Sequence, residues 1–243
     1  MQQNKYDDQC FFNRYKQMAR SVRGLEAAGE WHELRRMLPD FQGKRVLDLG
    51  CGFGWHCRYA VEQGASFVLG IDISENMLKE ARARTSSPRI EYRHMSIEAI
   101  DFPVGSFDVV ISSLVLHYLP FFSDVCRKVH HCLATGGEFV FSVEHPIFTA
   151  RGDQQWHYDA NGVPLHWPVD NYFTEGRRQA VFLDHEVTKY HKTLTSYVNT
   201  LLDCGFELTR LVEPQPAPHL LGEPGMKDEL RRPMMLLIAA RKK

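Results

Sequence analysis

The chain has no Cys-x-x-Cys pair among its six cysteines, Cys10, Cys51, Cys57, Cys126, Cys132 and Cys204. That absence excludes the common zinc ribbons and dithiol redox motifs. The opening residues, "MQQNKYDDQC", are polar and charged and do not read as a secretory signal. Without an export signal the thiols are expected to stay reduced, in a cytoplasmic protein. Long apolar runs are missing too. The longest late one covers residues 234–240, far short of a membrane span. Charge of either sign is nearly balanced, with a formal net charge of −1, and Arg241-Lys242-Lys243 is too short to be a basic tail. A binder of nucleic-acid phosphates needs a positive face. We therefore expect no nucleic-acid partner and no membrane partner. The twelve histidines contain no His-x-x-x-His pair backed by acids, so no metal site is expected. Neither an internal repeat nor a low-complexity tract occurs.

What is present is a regular alternation. In the first forty residues Trp31, Leu34 and Leu38 recur at helical spacing, and Pro39-Asp40 ends the run. Residues 45–49 read as a short buried strand. After a glycine cluster, Cys57, Ala60 and Val61 share a helical face, and Gly64 supplies the stop. Further strands are expected at 66–72, 89–95, 107–113 and 138–145. Ser74 is expected to cap a helix carrying Met77, Leu78 and Ala81. Ser123 is expected to cap another, with Val125, Val129, Cys132 and Leu133 inside and Gly136-Gly137 closing it. Five strands alternating with helices predict a parallel sheet covered on both faces, in a doubly wound α/β fold. Residues 146–192 break this rhythm. They are rich in glycine, proline and aromatics, with turn signals at Asn161-Gly162 and Trp167-Pro168 and an extended stretch over 180–191. A closing helix follows, with Leu194, Val198, Leu201 and Leu202 on one face and Gly205 at its end. Strands at 206–213 and 233–242 then have no helix between them, so they are expected to pair antiparallel.

The glycine cluster carries the chemistry. In "VLDLGCGFG", Gly50, Gly52 and Gly54 follow an apolar strand that holds Asp48. Glycines at a strand-to-helix turn let a ligand approach the backbone, and the helix start offers free N–H groups. The dinucleotide fingerprint G-x-G-x-x-G is one comparison, but the third glycine here comes one residue early. The phosphate loop G-x-x-x-x-G-K-[ST] is absent. Asp48 would repel a pyrophosphate and suits a ligand with an ammonium group. Asp72 ends the second strand, where an acid accepts hydrogen bonds from both hydroxyls of a ribose. Together these residues point to an adenosine with a charged amino-acid tail, which S-adenosylmethionine provides.

At this point the sequence resembles a known family. "VLDLGCGFG", "GIDIS", "FDVVISSLVLHYL" and "GGEFVFSVEHP" are similar to the successive motifs of class I S-adenosylmethionine-dependent methyltransferases, strongly over residues 44–145. Within them the chain looks most like the small-molecule enzymes of the ubiquinone/menaquinone type. The resemblance implies a Rossmann-like, seven-stranded, mostly parallel sheet whose last strand runs antiparallel. It implies that Asp48, Gly50, Gly52 and Gly54 hold the methionine part, that Asp72 binds the ribose and that Ile73 packs on the adenine. The family often places an acid after the third strand for the adenine amino group. This sequence has Ser96 there, a departure that leaves a weaker acceptor, while Ile97 still offers its backbone N–H. Ser113 and the segment through His117 are implied to line the pocket near the sulfonium.

One domain is expected over 1–243: N-terminal helices (1–43), a cofactor-binding core (44–145), an inserted substrate lid (146–192) and the closing helix and strands (193–243). A histidine near neutral pKa can take a proton from an acceptor. His145 is expected as base or substrate-orienting group, and His117 as pocket lining. Trp156, His157, Tyr158, Trp167, Tyr172 and Phe173 form either the apolar wall of the lid or a satellite core beneath a long loop. Tyr6, Phe11, Phe12 and Tyr15 either fold over the cofactor or simply pack their helices. The expected activity is methyl transfer to an oxygen, nitrogen or carbon atom of a small molecule, by a monomer or homodimer. The rival readings are a non-catalytic S-adenosylmethionine binder and an NAD-dependent oxidoreductase.

Overall fold

The computed structural model describes residues 4–243; residues 1–3, the start of the expected N-terminal segment, lie outside the described residues. The N-terminal part is helical but broken into α1 (Gln9–Gln17), α2 (Ala19–Arg23) and α3 (Trp31–Met37). Asp8 caps α1 by accepting the Phe11 N–H. Trp31, Leu34 and Met37 are buried on one face of α3. Alternating elements follow: β1 (Arg45–Leu49), α4 (Trp55–Glu62), β2 (Phe67–Asp72), α5 (Glu75–Ala83), β3 (Ile90–His94), β4 (Phe107–Ser113), α6 (Phe122–Cys132) and β5 (Leu133–Glu144). Ser74 caps α5, accepting the Met77 N–H.

Two local expectations need correction. Ser123 does not cap α6, because the helix already starts at Phe122 and Ser123 sits inside its first turn. Gly136 and Gly137 do not close that helix either. It stops at Cys132, and the glycines form an irregularity in β5, whose pairing with β4 jumps from Leu133 to Glu138. A Cβ at Gly137 would lie 2.8 Å from the Ala134 carbonyl oxygen, so the bulge itself requires glycine there.

Beyond β5 come α7 (Pro146–Thr149), the short hairpin β6 (His157–Tyr158) and β7 (Pro164–His166), and the longer hairpin β8 (Gly176–Phe182) and β9 (His185–His191). The extended stretch expected at 180–191 is thus two strands with a turn between them. α8 (Leu194–Asp203), β10 (Phe206–Val212) and β11 (Met235–Lys242) close the chain. The main sheet has seven strands in the order β10-β11-β5-β4-β1-β2-β3. β11 inserts antiparallel between β10 and β5, and the pairings among β1 to β5 are parallel. Alternate residues of the central strands feed two cores. Leu47 and Leu49 pack on the α6 and α8 side, and Val46 packs on the α4 side. This is the doubly wound Rossmann-like sheet with an antiparallel last strand. Among the described residues, no helix is long and apolar enough to cross a membrane.

Candidate active site

Strand order reverses between β1 and β4, and loops diverge there at the carboxyl ends of the strands. A cavity of about 1130 Å³ lies at this place. Gly50, Gly52, Asp72, Ile73, Ser96, Ile97, Ser113 and His117 all line it, so the fold gathers residues from four separate loops. Gly52 has φ near +52°, and a Cβ built on it would meet nothing within 4 Å. Backbone on the cavity wall is therefore open to close approach by a ligand. Asp72 Oδ2 accepts the Gly52 N–H at 2.9 Å and Oδ1 accepts the Ser74 N–H at 2.9 Å. Each oxygen keeps acceptor capacity for a further partner. Burial, with Asp7 nearby, raises the Asp72 pKa to about 6 against the pull of those two N–H groups.

Asp48 is placed differently from its expected position at the mouth of the turn. It shares the α4 side of β1 with Val46, is 1% exposed and does not line the cavity. The Cys57 thiol donates to its Oδ2, and its Oδ1 has no hydrogen-bond partner among the described residues. Burial raises its pKa to about 7, the Cys57 thiol opposes the rise, and Asp72 adds to it. Gly54 is also off the wall. A Cβ there would collide with the Tyr92 hydroxyl, so this glycine serves the packing of α4 on β3. Of the four residues expected around the methionine part, only Gly50 and Gly52 face the cavity.

His145 is a further correction. Consecutive residues at the end of β5 point to opposite sides, and it is Glu144 that reaches the cavity. His145 Nδ1 accepts the Ile147 N–H, capping α7, and Nε2 lies 2.7 Å from Glu213 Oε1. Burial lowers its pKa, and Glu213 opposes that shift. This imidazole is a structural group away from the cavity, not a base within it. His117 does line the cavity.

Trp156 and Trp167 of the insert belong to a satellite core rather than a wall, while His157, Tyr158 and Phe173 are exposed. Phe148 stacks on Trp167 at 5.1 Å, Trp156 meets Trp167 edge-on, and the Arg232 guanidinium lies over all three rings. None of Trp156, His157, Tyr158, Trp167, Tyr172 or Phe173 lines the cavity. The insert's wall comes instead from Arg177, Phe182, Val187, Thr188 and Tyr190. Tyr6, Phe11 and Tyr15 line the cavity, whereas Phe12 packs on Phe53 and Met77.

Sequence reasoning missed three contributors. The loop after β10 adds Leu220 and Met226 to the wall, and Arg232 ties that loop to the insert. Arg20, on α2, lines both the main cavity and a small one beside the glycine turn, with Glu30 at 3.2 Å. Glu144 is the third. Its only sequence signal was its place one residue before His145, at the mouth of a central strand.

A Rossmann-like sheet with glycines at the first turn and an acid ending the second strand defines a nucleoside-binding α/β enzyme. The methyltransferase-domain family matches residues 47–141. The structure of a candidate S-adenosylmethionine-dependent methyltransferase from Listeria monocytogenes is 57% identical, with a TM-score of 0.87 over 90% of this chain and 99% of that one. That of an S-adenosylmethionine-dependent methyltransferase from Mesorhizobium loti is 44% identical, with a TM-score of 0.84 over 90% of this chain and 100% of that one. An uncharacterized protein of Haemophilus influenzae is 32% identical over 244 residues, 98% of this chain and 96% of that one. The chain also matches tRNA U34 carboxymethyltransferases, of whose length it spans 35%. The chain belongs to the S-adenosylmethionine-dependent methyltransferases, and S-adenosylmethionine is its cofactor. The residues present fit that group: Gly52 leaves room at the backbone, and Asp72 has acceptor capacity to spare.

Two outcomes follow from this placement. Gly52→Ala puts a methyl group into the open space and holds it at a left-handed φ. Stability is expected to fall by about 1 kcal/mol, while affinity for S-adenosylhomocysteine falls about tenfold or more. Thermal melts beside calorimetry separate the two effects, and an unchanged affinity would refute the placement. Asp48→Asn acts in the opposite sense on stability. A carboxyl whose folded pKa is raised holds a proton that the unfolded chain releases, so stability declines as pH rises from about 4 to about 7. Removing the buried charge is expected to stabilise the free protein by about 2 kcal/mol at pH 8, about half of what the shift alone implies. The gain should shrink toward zero near pH 4. Melts at pH 8 and pH 5 check it, and a constant difference between them would contradict the assignment.

Proposed function

We propose that this chain transfers the methyl group of S-adenosylmethionine to a small, partly apolar molecule held in the same cavity. The observation that carries this is the cavity's volume, about 1130 Å³, against the roughly 300–1,000 Å³ of a single small-ligand site. The lining includes the glycine turn, Asp72, Ile73, Ser96 and Ile97. It also includes the apolar rings of Tyr6, Phe11, Tyr118, Phe182 and Tyr190. Gly50 and Gly52 take the methionine part, Asp72 the ribose hydroxyls, and Ile73, Ser96 and Ile97 the adenine. Arg20 suits the tail's carboxylate, because a guanidinium pairs two oxygens at once. The bound cofactor supplies a methyl on a cationic sulfur, so the leaving group is already good. The chain's own task is to align an acceptor and exclude water.

The first α-helices and the β8–β9 hairpin enclose the acceptor side. Phe11 packs against Ala180 and Val187, and Arg14 bonds Asp184. Asp7 accepts from the Ser74 hydroxyl at 2.6 Å, and Asn4 donates to the Ile73 carbonyl at 3.1 Å. One segment thus ties the cofactor wall to the insert. Calorimetric titration tests the reading directly. S-adenosylhomocysteine should bind and NADH should not. Incubation with S-adenosylmethionine and a small-molecule extract should then yield S-adenosylhomocysteine. Tight binding of NADH with no heat from S-adenosylhomocysteine would overturn the proposal, and binding without turnover would leave a non-catalytic binder.

A further inference from the structure

We infer that Glu144 and His117 form the acceptor station of this cavity and that the group they take is a hydroxyl, so that the reaction is an O-methylation. This rests on the methyl-transfer reading above and goes beyond it by naming the acceptor atom.

Both residues line the cavity. Lys189 Nζ lies 2.6 Å from Glu144 Oε1, and Gln154 Nε2 donates to Oε2 at 2.9 Å. Lys189 and Gln154 belong to the insert and are not on the wall, so they grip the carboxylate from behind. Each carboxylate oxygen can accept more than one hydrogen bond, which leaves capacity for a guest. Burial works against the Glu144 charge, but His117 when protonated, the Lys189 ammonium and the Lys189 and Gln154 hydrogen bonds together outweigh it and set its pKa below the usual value. Burial pushes the His117 pKa down to about 4, so the ring is neutral at pH 7, and the charge that faces the Glu144 carboxylate there is the Lys189 ammonium, with the Gln154 amide beside it. His117 Nδ1 accepts the Glu144 N–H at 3.3 Å, which places the ring proton on Nε2. Nε2 lies 4.0 Å from Glu144 Oε1. That is too long for a direct hydrogen bond, and one oxygen about 2.8 Å from each reaches both.

A guest atom there must donate to a carboxylate and accept from an imidazole N–H. A hydroxyl oxygen does both and still has a lone pair for the methyl carbon. An amine needs its single lone pair for the methyl and has none for His117. A carbon acid accepts nothing. In the transfer the acceptor oxygen forms the new bond to the methyl carbon, and the carbon–sulfur electron pair stays on sulfur. The hydroxyl proton passes to Glu144 and leaves to solvent with the product. Glu144 is then a catalytic residue, and Lys189, acting through it, a positioning residue.

The test uses the full chain saturated with S-adenosylhomocysteine. Phenol is the probe, and anisole is the control that lacks the proton. Ligand-observed NMR should find anisole bound about tenfold or more weakly than phenol, and Glu144→Gln, which keeps an accepting amide oxygen but no charge, should narrow the difference to about threefold or less. Calorimetry first checks that Glu144→Gln, and the charge-keeping Glu144→Asp, hold S-adenosylhomocysteine as the wild type does. Lys189→Arg should keep the phenol preference, and Lys189→Met should lose it. With methyl-deuterated S-adenosylmethionine and a small-molecule extract, the label should emerge as a methyl ether. The inference is overturned by label on nitrogen, carbon or sulfur, by failure of phenol to bind, by equal binding of phenol and anisole, or by a preference as large in Glu144→Gln as in the wild type. A wild-type chain that does not bind S-adenosylhomocysteine sinks the cofactor reading instead.

Discussion

Lys189→Met is expected to destabilise the fold by about 3–5 kcal/mol, the usual loss when one partner of a buried pair is removed. The lysine side chain is 3% exposed. Its ammonium lies 2.6 Å from Glu144 Oε1 and 2.8 Å from Gln154 Oε1, with the Phe148 and Phe182 rings about 6 Å away. Methionine fills much of the same volume but leaves the Glu144 charge buried with too few donors. For a chain of this size each kcal/mol moves the melting temperature by about 2–4 °C, so a drop of roughly 10 °C is expected. The double variant Lys189→Met/Glu144→Gln removes both charges and should recover much of that loss. Circular-dichroism melts of the two variants check this. If single and double variants melt together, Glu144 is not held by Lys189.

Asp72→Ala is expected to cut affinity for S-adenosylhomocysteine by about a hundredfold or more. A hydrogen bond to a charged group contributes about 1.5–3 kcal/mol, and two ribose hydroxyls would share this carboxylate. The variant also frees the Gly52 N–H, which Asp72 fixes at 2.9 Å, so the turn loses its brace. Asp72→Asn should fall between the wild type and the alanine variant. The raised pKa adds a pH signature. With the carboxyl titrating at about 6, a proton competes with the hydroxyl hydrogens below that pH. Wild-type affinity should therefore weaken from pH 7 to pH 5, and the Asp72→Ala variant should not share that slope. Calorimetry at the two pH values measures both effects. An affinity within threefold of wild type in Asp72→Ala would remove the ribose role.

The alternating strands, the glycine turn and Asp72 were legible because they depend on local pattern. Apolar periodicity follows from which face of an element is buried, and a strand-to-helix turn with glycines carries its own backbone requirement. The Ser74 cap was legible for the same reason: its partner, the Met77 N–H, is three residues away. Other features were not local. The choice between Glu144 and His145 turns on the phase of one strand, which is set by what packs above and below it. By composition the aromatic run at 156–173 reads equally as a wall or as a satellite core. Arg232, more than 60 residues later in the chain, gathers Trp156 and Trp167 with Phe148 into a separate core.

The sequence by itself determined the fold class, the position of the nucleotide turn and the acid that ends the second strand, since each follows from neighbours within one or two turns of chain. Only the tertiary structure decided that Asp48 lies beneath the turn, that Glu144 faces the cavity, and that Lys189 and Gln154 reach it from the insert. Those contacts join residues from 9 to 45 positions apart. Side-chain direction and long-range charge pairing arise only once the sheet has fixed the pleat and the insert has folded back on it.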